Sequence, residues 1–225
     1  MKKVAAISGV VAGFVALALI AGFALQPHPA RAEGQGLPDK SVSAAPLRFS
    51  VVGDSITAGC QWPLTDHTEP CTWPYWVEKA GLDFVGGWAQ PRADSELMAE
   101  NVKHENADVV VILAGTNNVN TGLTFAETAD TYTRIVATVG APRVVVLLLP
   151  PFQKFAPTGE VAAYNMQLAQ FARAHGWEVF NPWLGLSTLS PYEWIPGTSY
   201  PDHEHPSMES QQVIGGLIAA YLNQK

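Results

Sequence analysis

The stretch RFSVVGDSITAG, at positions 48–59, decides the fold class and raises the first question about function. Its mostly apolar part, residues 49–52, is typical of a buried strand, and Gly53, Asp54 and Ser55 follow directly. Small polar residues after a strand predict a turn into a helix. Ser55 then either caps that helix or acts as a nucleophile. A nucleophilic serine needs a base and an orienting acid from elsewhere in the chain.

Apolar runs of the strand type alternate with helical patterns along the rest of the chain. The runs lie at 47–52, 82–85, 109–114, 144–149 and 177–180, and the helical patterns lie near 75–80, 95–106, 125–139, 161–175 and 208–222. VVVILA and VVVLLL are apolar throughout, which is typical of parallel strands buried on both faces. The sequence therefore predicts an α/β fold, a flavodoxin-like three-layer α/β/α sandwich with a five-stranded parallel sheet in the order 2-1-3-4-5.

This sheet order also predicts where a ligand binds. In open α/β sheets the site lies at the carboxyl ends of the strands, where the strand order reverses, which here is between the first and third strands. These strands end in the clusters Gly53-Asp54-Ser55 and Gly115-Thr116-Asn117-Asn118. Both clusters are small and polar, so we expect the functional site to lie between them.

The N-terminus has the pattern of an export signal. Lys2 and Lys3 precede an apolar run at 4–25, and a small-x-small site follows at 30–32. We expect a signal peptide at 1–32 with cleavage after Ala32, a flexible leader at 33–45 and one domain at 46–225. The alternative is an uncleaved membrane anchor, since the run is long enough to span a bilayer. Either interpretation predicts a secreted or envelope-associated protein, with membrane contact only if the segment stays uncleaved.

Charge and cysteine content narrow the class of protein further. Residues 33–225 hold 10 basic and 20 acidic residues, and such an acidic domain lacks the positive surface that nucleic acids require. Cys60 and Cys71 predict one disulfide if the protein is exported, and two free thiols otherwise.

The C-terminal stretch PDHEHPS, at 201–207, supplies a base and an acid. Asp202 and His205 are spaced so that the carboxylate can contact the imidazole, fix its tautomer and stabilise the imidazolium formed when His205 takes a proton from Ser55. His203 is the alternative base, and His203 with His205 is an alternative metal site. Because no second ligand cluster follows a strand, we expect neither a metal nor a cofactor.

Acyl transfer also needs hydrogen-bond donors for the developing oxyanion. The backbone N–H of Ser55 and the side-chain amide of Asn117 are candidates. The second apolar run is followed by Gly86 and Gly87, where an unhindered backbone N–H can approach a ligand.

Four blocks of the sequence together resemble the signature of the SGNH, or GDSL, hydrolase family. They are GDSITAG at 53–59, a glycine after the second strand, GTNN at 115–118 and DHEH at 202–205, in the family's order. The resemblance implies Ser55 as nucleophile, His205 as base and Asp202 as orienting acid. It implies an oxyanion hole from Ser55 N–H, a glycine N–H and Asn117. Gly87 is our choice for the glycine, with Gly86 the alternative. The family's third block usually ends in Asp, where this chain has Asn118, which is not a catalytic position.

The sequence thus predicts an exported serine esterase of the GDSL esterase/lipase type. We expect a monomer that acts on small-molecule, glycan or lipid esters, with carbohydrate O-acetyl esters one candidate. A transferase that passes acyl groups to or from cell-wall or extracellular sugars is the alternative, and the intact residue set argues against a non-catalytic binding module. Trp62, Trp73 and Trp76 are a stacking platform for a sugar, a wall for an acyl chain, or the packing of a small core beside the predicted disulfide.

Overall fold

The structure is a computed structural model that describes residues 45–152, 158–189 and 192–224. The predicted signal peptide and nearly all of the predicted leader lie outside these residues, so the domain boundaries at 32 and 45 remain predictions. None of the helices in the described ranges has the length and apolar composition needed to span a bilayer.

Parallel strands form a five-stranded sheet in the order β2-β1-β3-β4-β5, which confirms the predicted α/β architecture and strand order. The strands are β1 (Arg48–Gly53), β2 (Asp83–Ala89), β3 (Val109–Leu113), β4 (Arg143–Leu147) and β5 (Glu178–Phe180). The helices are α1 (Ser55–Ala58), α2 (Trp73–Lys79), α3 (Ser95–Asn101), α4 (Thr116–Asn120), α5 (Phe125–Val139), α6 (Thr158–Ala174) and α7 (Met208–Leu222).

The central strands lie in the core. Every residue of β3 is fully buried, as are Val51 and Val52 of β1, which explains why these runs are apolar rather than alternating. Helices α2 and α7 pack against each other, and α5 packs against both α3 and α6. Covering the sheet on both faces leaves its carboxyl edge open, and the loops that follow β1, β2 and β3 emerge there.

Helix ends follow the local sequence. Thr124 and Glu127 form a capping box that starts α5, and Gly140 ends it in the left-handed conformation. Helix α3 is shorter than the predicted 95–106, because the backbone becomes extended at Val102. Helix α1 begins at Ser55, where the sequence predicts a turn into a helix, whereas the short α4 was not predicted, since five residues give no helical periodicity.

The prediction that the second strand ends before Gly86 and Gly87 is wrong, because β2 continues to Ala89. The pairing with β1 slips between Phe49 and Ser50, so Gly86 lies at a bulge with φ 127°. Gly87 pairs with Val51, and a Cβ on Gly87 would lie 2.1 Å from the Val51 carbonyl oxygen. The two glycines permit a bulge and a close backbone approach inside the sheet rather than a strand end.

Gly87→Ala tests this close approach. We expect the substitution to lower the free energy of unfolding by at least about 2 kcal/mol, because the new methyl group overlaps the backbone of β1. Chemical denaturation measures the change. Gly216→Ala is the control, since nothing lies within 4 Å of a Cβ at that position of α7. It should stabilise the protein by about 0.5–1 kcal/mol. Equal stability of Gly87→Ala and the unsubstituted protein would contradict the packing argument.

Candidate active site

The turn after β1 fixes the position of Ser55. Asp54 is the N-cap of α1, and its Oδ1 accepts a hydrogen bond of 2.9 Å from the Ile56 backbone N–H. Ser55 is therefore not the cap, and its side chain is left for another role. Gly53 is required at the end of β1, because a Cβ there would lie 2.2 Å from Thr57 Oγ1.

Asp54 is fully buried under this turn. Burial raises its pKa to about 6, although the hydrogen bond from the Ile56 N–H acts in the opposite direction. The carboxylate braces the turn through its backbone contact, and it has no contact with the imidazole of His205 that would make it the orienting acid.

His205 joins Ser55 to Asp202, although 150 positions separate Ser55 from His205. The distance from His205 Nε2 to Ser55 Oγ is 2.8 Å, and that from His205 Nδ1 to Asp202 Oδ2 is also 2.8 Å. An ionised carboxylate only accepts hydrogen bonds, so Nδ1 carries the proton and Nε2 presents its lone pair to the serine hydroxyl. This is the arrangement in which the hydroxyl proton can pass to the imidazole.

The environment of Asp202 keeps its carboxylate charged. Burial opposes ionisation, but hydrogen bonds from the backbone N–H groups of Glu204 and His205 and from the His205 ring outweigh it, and the pKa of Asp202 is lowered. Both backbone bonds go to Asp202 Oδ1, at 3.0 and 3.1 Å, which leaves Oδ2 for the imidazole. Because Asp202 and His205 are three residues apart, the backbone at 204 and 205 and the His205 ring can all donate hydrogen bonds to the same carboxylate.

The sequence left two alternatives at this site: His203 as the base, and a metal site formed by His203 and His205. His203 is exposed, has a positive φ of 54°, and does not line the cavity at Ser55. No group of three or more His, Cys, Asp or Glu residues within the described ranges is arranged to hold a metal ion.

Asn117 and Asn118, after β3, hold the start of α3 in place. Asn117 Nδ2 donates to the Ala93 carbonyl oxygen at 2.9 Å, and Asn118 Oδ1 accepts from the Ser95 N–H at 3.0 Å. Asn117 lines the cavity beside Ser55, whereas Asn118 is buried. The amide of Asn117 has a second hydrogen that the Ala93 bond does not use.

A tight turn at residues 90–93 follows β2 at the same edge. The Gln90 N–H donates to the Gly53 carbonyl at 3.3 Å, and the Ala93 N–H donates to the Gln90 carbonyl at 3.2 Å. Pro91 and Arg92 occupy the central positions, and Arg92 has φ 66°, the geometry of a type II turn. Within the described residues, no acceptor takes the N–H of Arg92 or of Ser55.

The choice of Gly87 as an oxyanion donor therefore has to be corrected. Gly87 lies inside β2, paired with Val51, and neither it nor Gly86 lines the cavity, whereas Arg92 does. Sequence reasoning missed Arg92 because glycine or asparagine is the usual sign of a positive φ. The available signal was Pro91, which marks a turn shortly after a strand.

The cavity around Ser55 has a volume of about 920 Å³. Its walls include the predicted disulfide, which is confirmed between Cys60 and Cys71, and the exposed side chains of Trp62, Tyr200 and Met208. This volume and its partly aromatic lining suit a ligand considerably larger than an acetyl group.

The tryptophans of this cluster differ in exposure. Trp73 is fully buried, and its Nε1 lies 3.3 Å from Thr57 Oγ1. Trp62 is 73% exposed at the cavity wall, and a hydrogen bond of 3.2 Å from its Nε1 to the Gly59 carbonyl fixes the edge of the ring. Trp73 therefore packs the domain, and Trp62 offers a flat surface to the cavity.

Comparisons with known proteins bear on the family and the fold. The model of the GDSL-like Lipase/Acylhydrolase family matches residues 51–213. No curated protein matches the sequence.

Solved structures with a similar fold include three esterase or lipolytic proteins. A lipase/acylhydrolase from Enterococcus faecalis has 18% identity and a TM-score of 0.61, with 78% of this chain and 95% of that chain covered. A member of the lipolytic protein G-D-S-L family from Veillonella parvula DSM 2008 has 15% identity and a TM-score of 0.61, covering 80% and 100%. A carbohydrate esterase family 3 protein from Talaromyces cellulolyticus has 19% identity and a TM-score of 0.56, covering 79% and 97%. These likenesses establish a shared fold.

The raised pKa of Asp54 predicts a pH-dependent stability. The folded pKa of about 6 lies above the ordinary value of 3.8, so the folded state holds this proton more tightly than the unfolded state does. The contribution that this proton on Asp54 makes to the free energy of unfolding is present below about pH 4 and is lost as the pH rises to about 6. Asn at this position keeps the cap without the charge. We therefore expect the unfolding free energy of Asp54→Asn, relative to the unsubstituted protein, to rise from pH 4 to pH 7.

Urea denaturation at several pH values measures this difference. Asp94→Asn is the matched control for a capping Asp-to-Asn change, since Asp94 caps α3 through a bond of 2.8 Å to the Leu97 N–H. A stability difference for Asp54→Asn that stays constant across this pH range would show that Asp54 ionises normally in the folded protein.

Proposed function

This chain belongs to the GDSL-like lipase/acylhydrolase family and is a hydrolase of ester bonds, and we propose that it is an exported serine esterase whose nucleophile is Ser55. The observation that carries the proposal is the pair of 2.8 Å contacts that place His205 between Ser55 and Asp202. The disulfide between Cys60 and Cys71 supports export, because such bonds persist in oxidising compartments.

The proposed reaction has two steps. Ser55 Oγ attacks the ester carbonyl carbon while His205 Nε2 takes the hydroxyl proton, and the protonated imidazole then donates that proton to the departing alcohol. Water attacks the acyl-Ser55 intermediate with His205 as base, which releases the carboxylic acid and restores the serine hydroxyl. Asp202 stabilises the imidazolium in both steps, and its lowered pKa keeps it charged.

Three donors are available for the negative charge that develops on the carbonyl oxygen. They are the backbone N–H groups of Ser55 and Arg92 and the second amide hydrogen of Asn117. All three residues line the cavity. We propose that the Arg92 N–H takes the place assigned to Gly87 by the family resemblance. Its support is the Asn117 bond to the Ala93 carbonyl, which ties the turn at 90–93 to α4.

We further propose that the substrates include acyl esters of sugars. The support is the exposed ring of Trp62, whose orientation is fixed by its bond to Gly59, because flat aromatic surfaces suit the apolar faces of sugar rings. The similar Talaromyces cellulolyticus structure is a carbohydrate esterase.

Ser55→Ala and His205→Ala test the catalytic assignment. We expect each to lower the rate of p-nitrophenyl acetate hydrolysis by at least about 10³-fold with little change in Tm, because each breaks the proton path from the nucleophile. His203→Ala is the matched control and should keep most of the activity. An acetylated sugar assayed in parallel tests the substrate proposal.

A covalent probe gives a second measurement. An organophosphonate should modify the unsubstituted protein at Ser55 and leave Ser55→Ala unmodified, as read by mass spectrometry. Active enzyme without an adduct, or equal losses in His205→Ala and His203→Ala, would contradict the assignment.

Asn117→Ala should lower kcat by roughly 10²–10³-fold with a smaller change in KM, because its amide acts mainly on charge that develops in the transition state. Asn118→Ala is the comparison. It leaves the buried Ser95 N–H without an acceptor and should lower stability by about 1–3 kcal/mol. A large rise in KM with unchanged kcat in Asn117→Ala would make Asn117 a ground-state binding residue instead.

A further inference from the structure

Arg92 has a backbone conformation that an arginine rarely adopts. Its φ of 66° lies in the left-handed region, where a Cβ is unfavourable and where glycine is the usual residue of a type II turn. Three hydrogen bonds hold the segment from Gln90 to Ala93 in place. The Gln90 N–H donates to the Gly53 carbonyl, and the Ala93 N–H donates to the Gln90 carbonyl. The Asn117 side chain donates to the Ala93 carbonyl. Residues held in such strained conformations cluster at functional sites, so we expect the Arg92 side chain to have a role in function.

The charge of Arg92 has no partner in the described part of the protein. Arg48, Arg134 and Arg143 each form an ion pair with a carboxylate there, whereas Arg92 forms none. Arg92 is exposed, and it is one of the residues that line the cavity. It is therefore free to bind an anion without first breaking an internal contact.

The other charged side chains of the cavity are already engaged. Asp202 accepts hydrogen bonds from His205, and Glu204 Oε1 accepts one of 2.9 Å from Asn120 Nδ2. Arg92 supplies the only Lys or Arg charge among the described residues that line this cavity. An anionic group on a ligand is attracted towards Arg92 and repelled by Asp202 and Glu204, so the cavity orients such a ligand.

We propose that the Arg92 guanidinium binds a carboxylate carried by the substrate, so that esters bearing a carboxylate are the preferred substrate class. Guanidinium groups match carboxylates because two parallel N–H donors meet two oxygens. The proposal rests on the proposed esterase function, and it assigns a specificity role to the side chain that is separate from the oxyanion role of the Arg92 N–H.

Two matched substrate pairs test the preference and locate the carboxylate. In the first pair, 4-acetoxybenzoate carries the charge on the alcohol part, and methyl 4-acetoxybenzoate is its neutral partner. In the second, monomethyl terephthalate carries the charge on the acyl part, and dimethyl terephthalate is neutral. For each pair, the kcat/KM of the anionic ester is divided by that of the neutral ester, and this ratio is compared between the unsubstituted protein and its variants. Differences in the intrinsic reactivity of the esters and general losses of turnover then cancel.

Arg92→Gly is the decisive variant, because glycine keeps the backbone N–H, accepts the positive φ and removes the guanidinium. We expect the anionic-to-neutral ratio to fall about fivefold in at least one pair, in the range of a partly exposed ion pair. Arg92→Lys should retain part of the preference. Added salt should weaken the preference of the unsubstituted enzyme.

Arg173→Gln is the control, since it removes the same charge from the exposed surface of α6, outside the cavity. Its ratios should match those of the unsubstituted protein. Unchanged ratios in Arg92→Gly for both pairs, or an equal fall in Arg173→Gln, would overturn the proposal. If Arg92→Gly turns over too slowly, calorimetric binding of 4-hydroxybenzoate and of terephthalate decides, and equal affinity for both with and without the guanidinium overturns it.

Failure of the esterase function is a distinct result, because the unsubstituted protein would then hydrolyse neither member of either pair.

Discussion

The absence of a side chain at Gly53 is the constraint that assembles the active-site edge. A Cβ at this position would lie 2.2 Å from Thr57 Oγ1 and 3.2 Å from the Leu113 carbonyl oxygen. The backbone can therefore turn sharply out of the sheet, and the Gly53 carbonyl receives the Gln90 N–H that anchors the end of β2. The turn places Asp54 in the interior and Ser55 at the surface. A larger residue at 53 would separate three elements that the site requires together.

A second set of contacts joins the ends of β2 and β3. Two adjacent asparagines form these contacts, one as a hydrogen-bond donor and one as an acceptor. Asn117 donates to the Ala93 carbonyl, and Asn118 accepts from the Ser95 N–H. Asn118 stands where the family usually has an aspartate. The contact with Ser95 requires only an acceptor, so an amide oxygen satisfies it without adding a buried negative charge at an edge that already holds Asp54.

The parallel sheet was predictable because VVVILA and VVVLLL are apolar throughout, and its order because five strands that alternate with helices are typical of a flavodoxin-like fold. The contact between Asp202 and His205 was predictable from their spacing, and the approach of His205 to Ser55 from the family's motif order. The end of β2 was not predictable. A Gly-Gly pair fits either a strand end or a bulge with a close backbone approach inside the sheet, and only the packing against Val51 distinguishes the two. The conformation of Arg92 was not predictable either, because no local property of an arginine indicates a positive φ.

The loop between Cys60 and Cys71 has a consequence for how this enzyme can diversify. Its two ends are held with their Cα atoms 5.9 Å apart, and it begins directly after the turn that carries Ser55. Trp62 lies within it. Leu64 of this loop is buried and pairs with Ala89 at the end of β2, so the loop cannot change freely at that position. Its exposed positions, Trp62 among them, can vary while the disulfide and the Leu64 pairing keep the loop attached, so they are where variation in sequence can change what the cavity admits while the fold is kept.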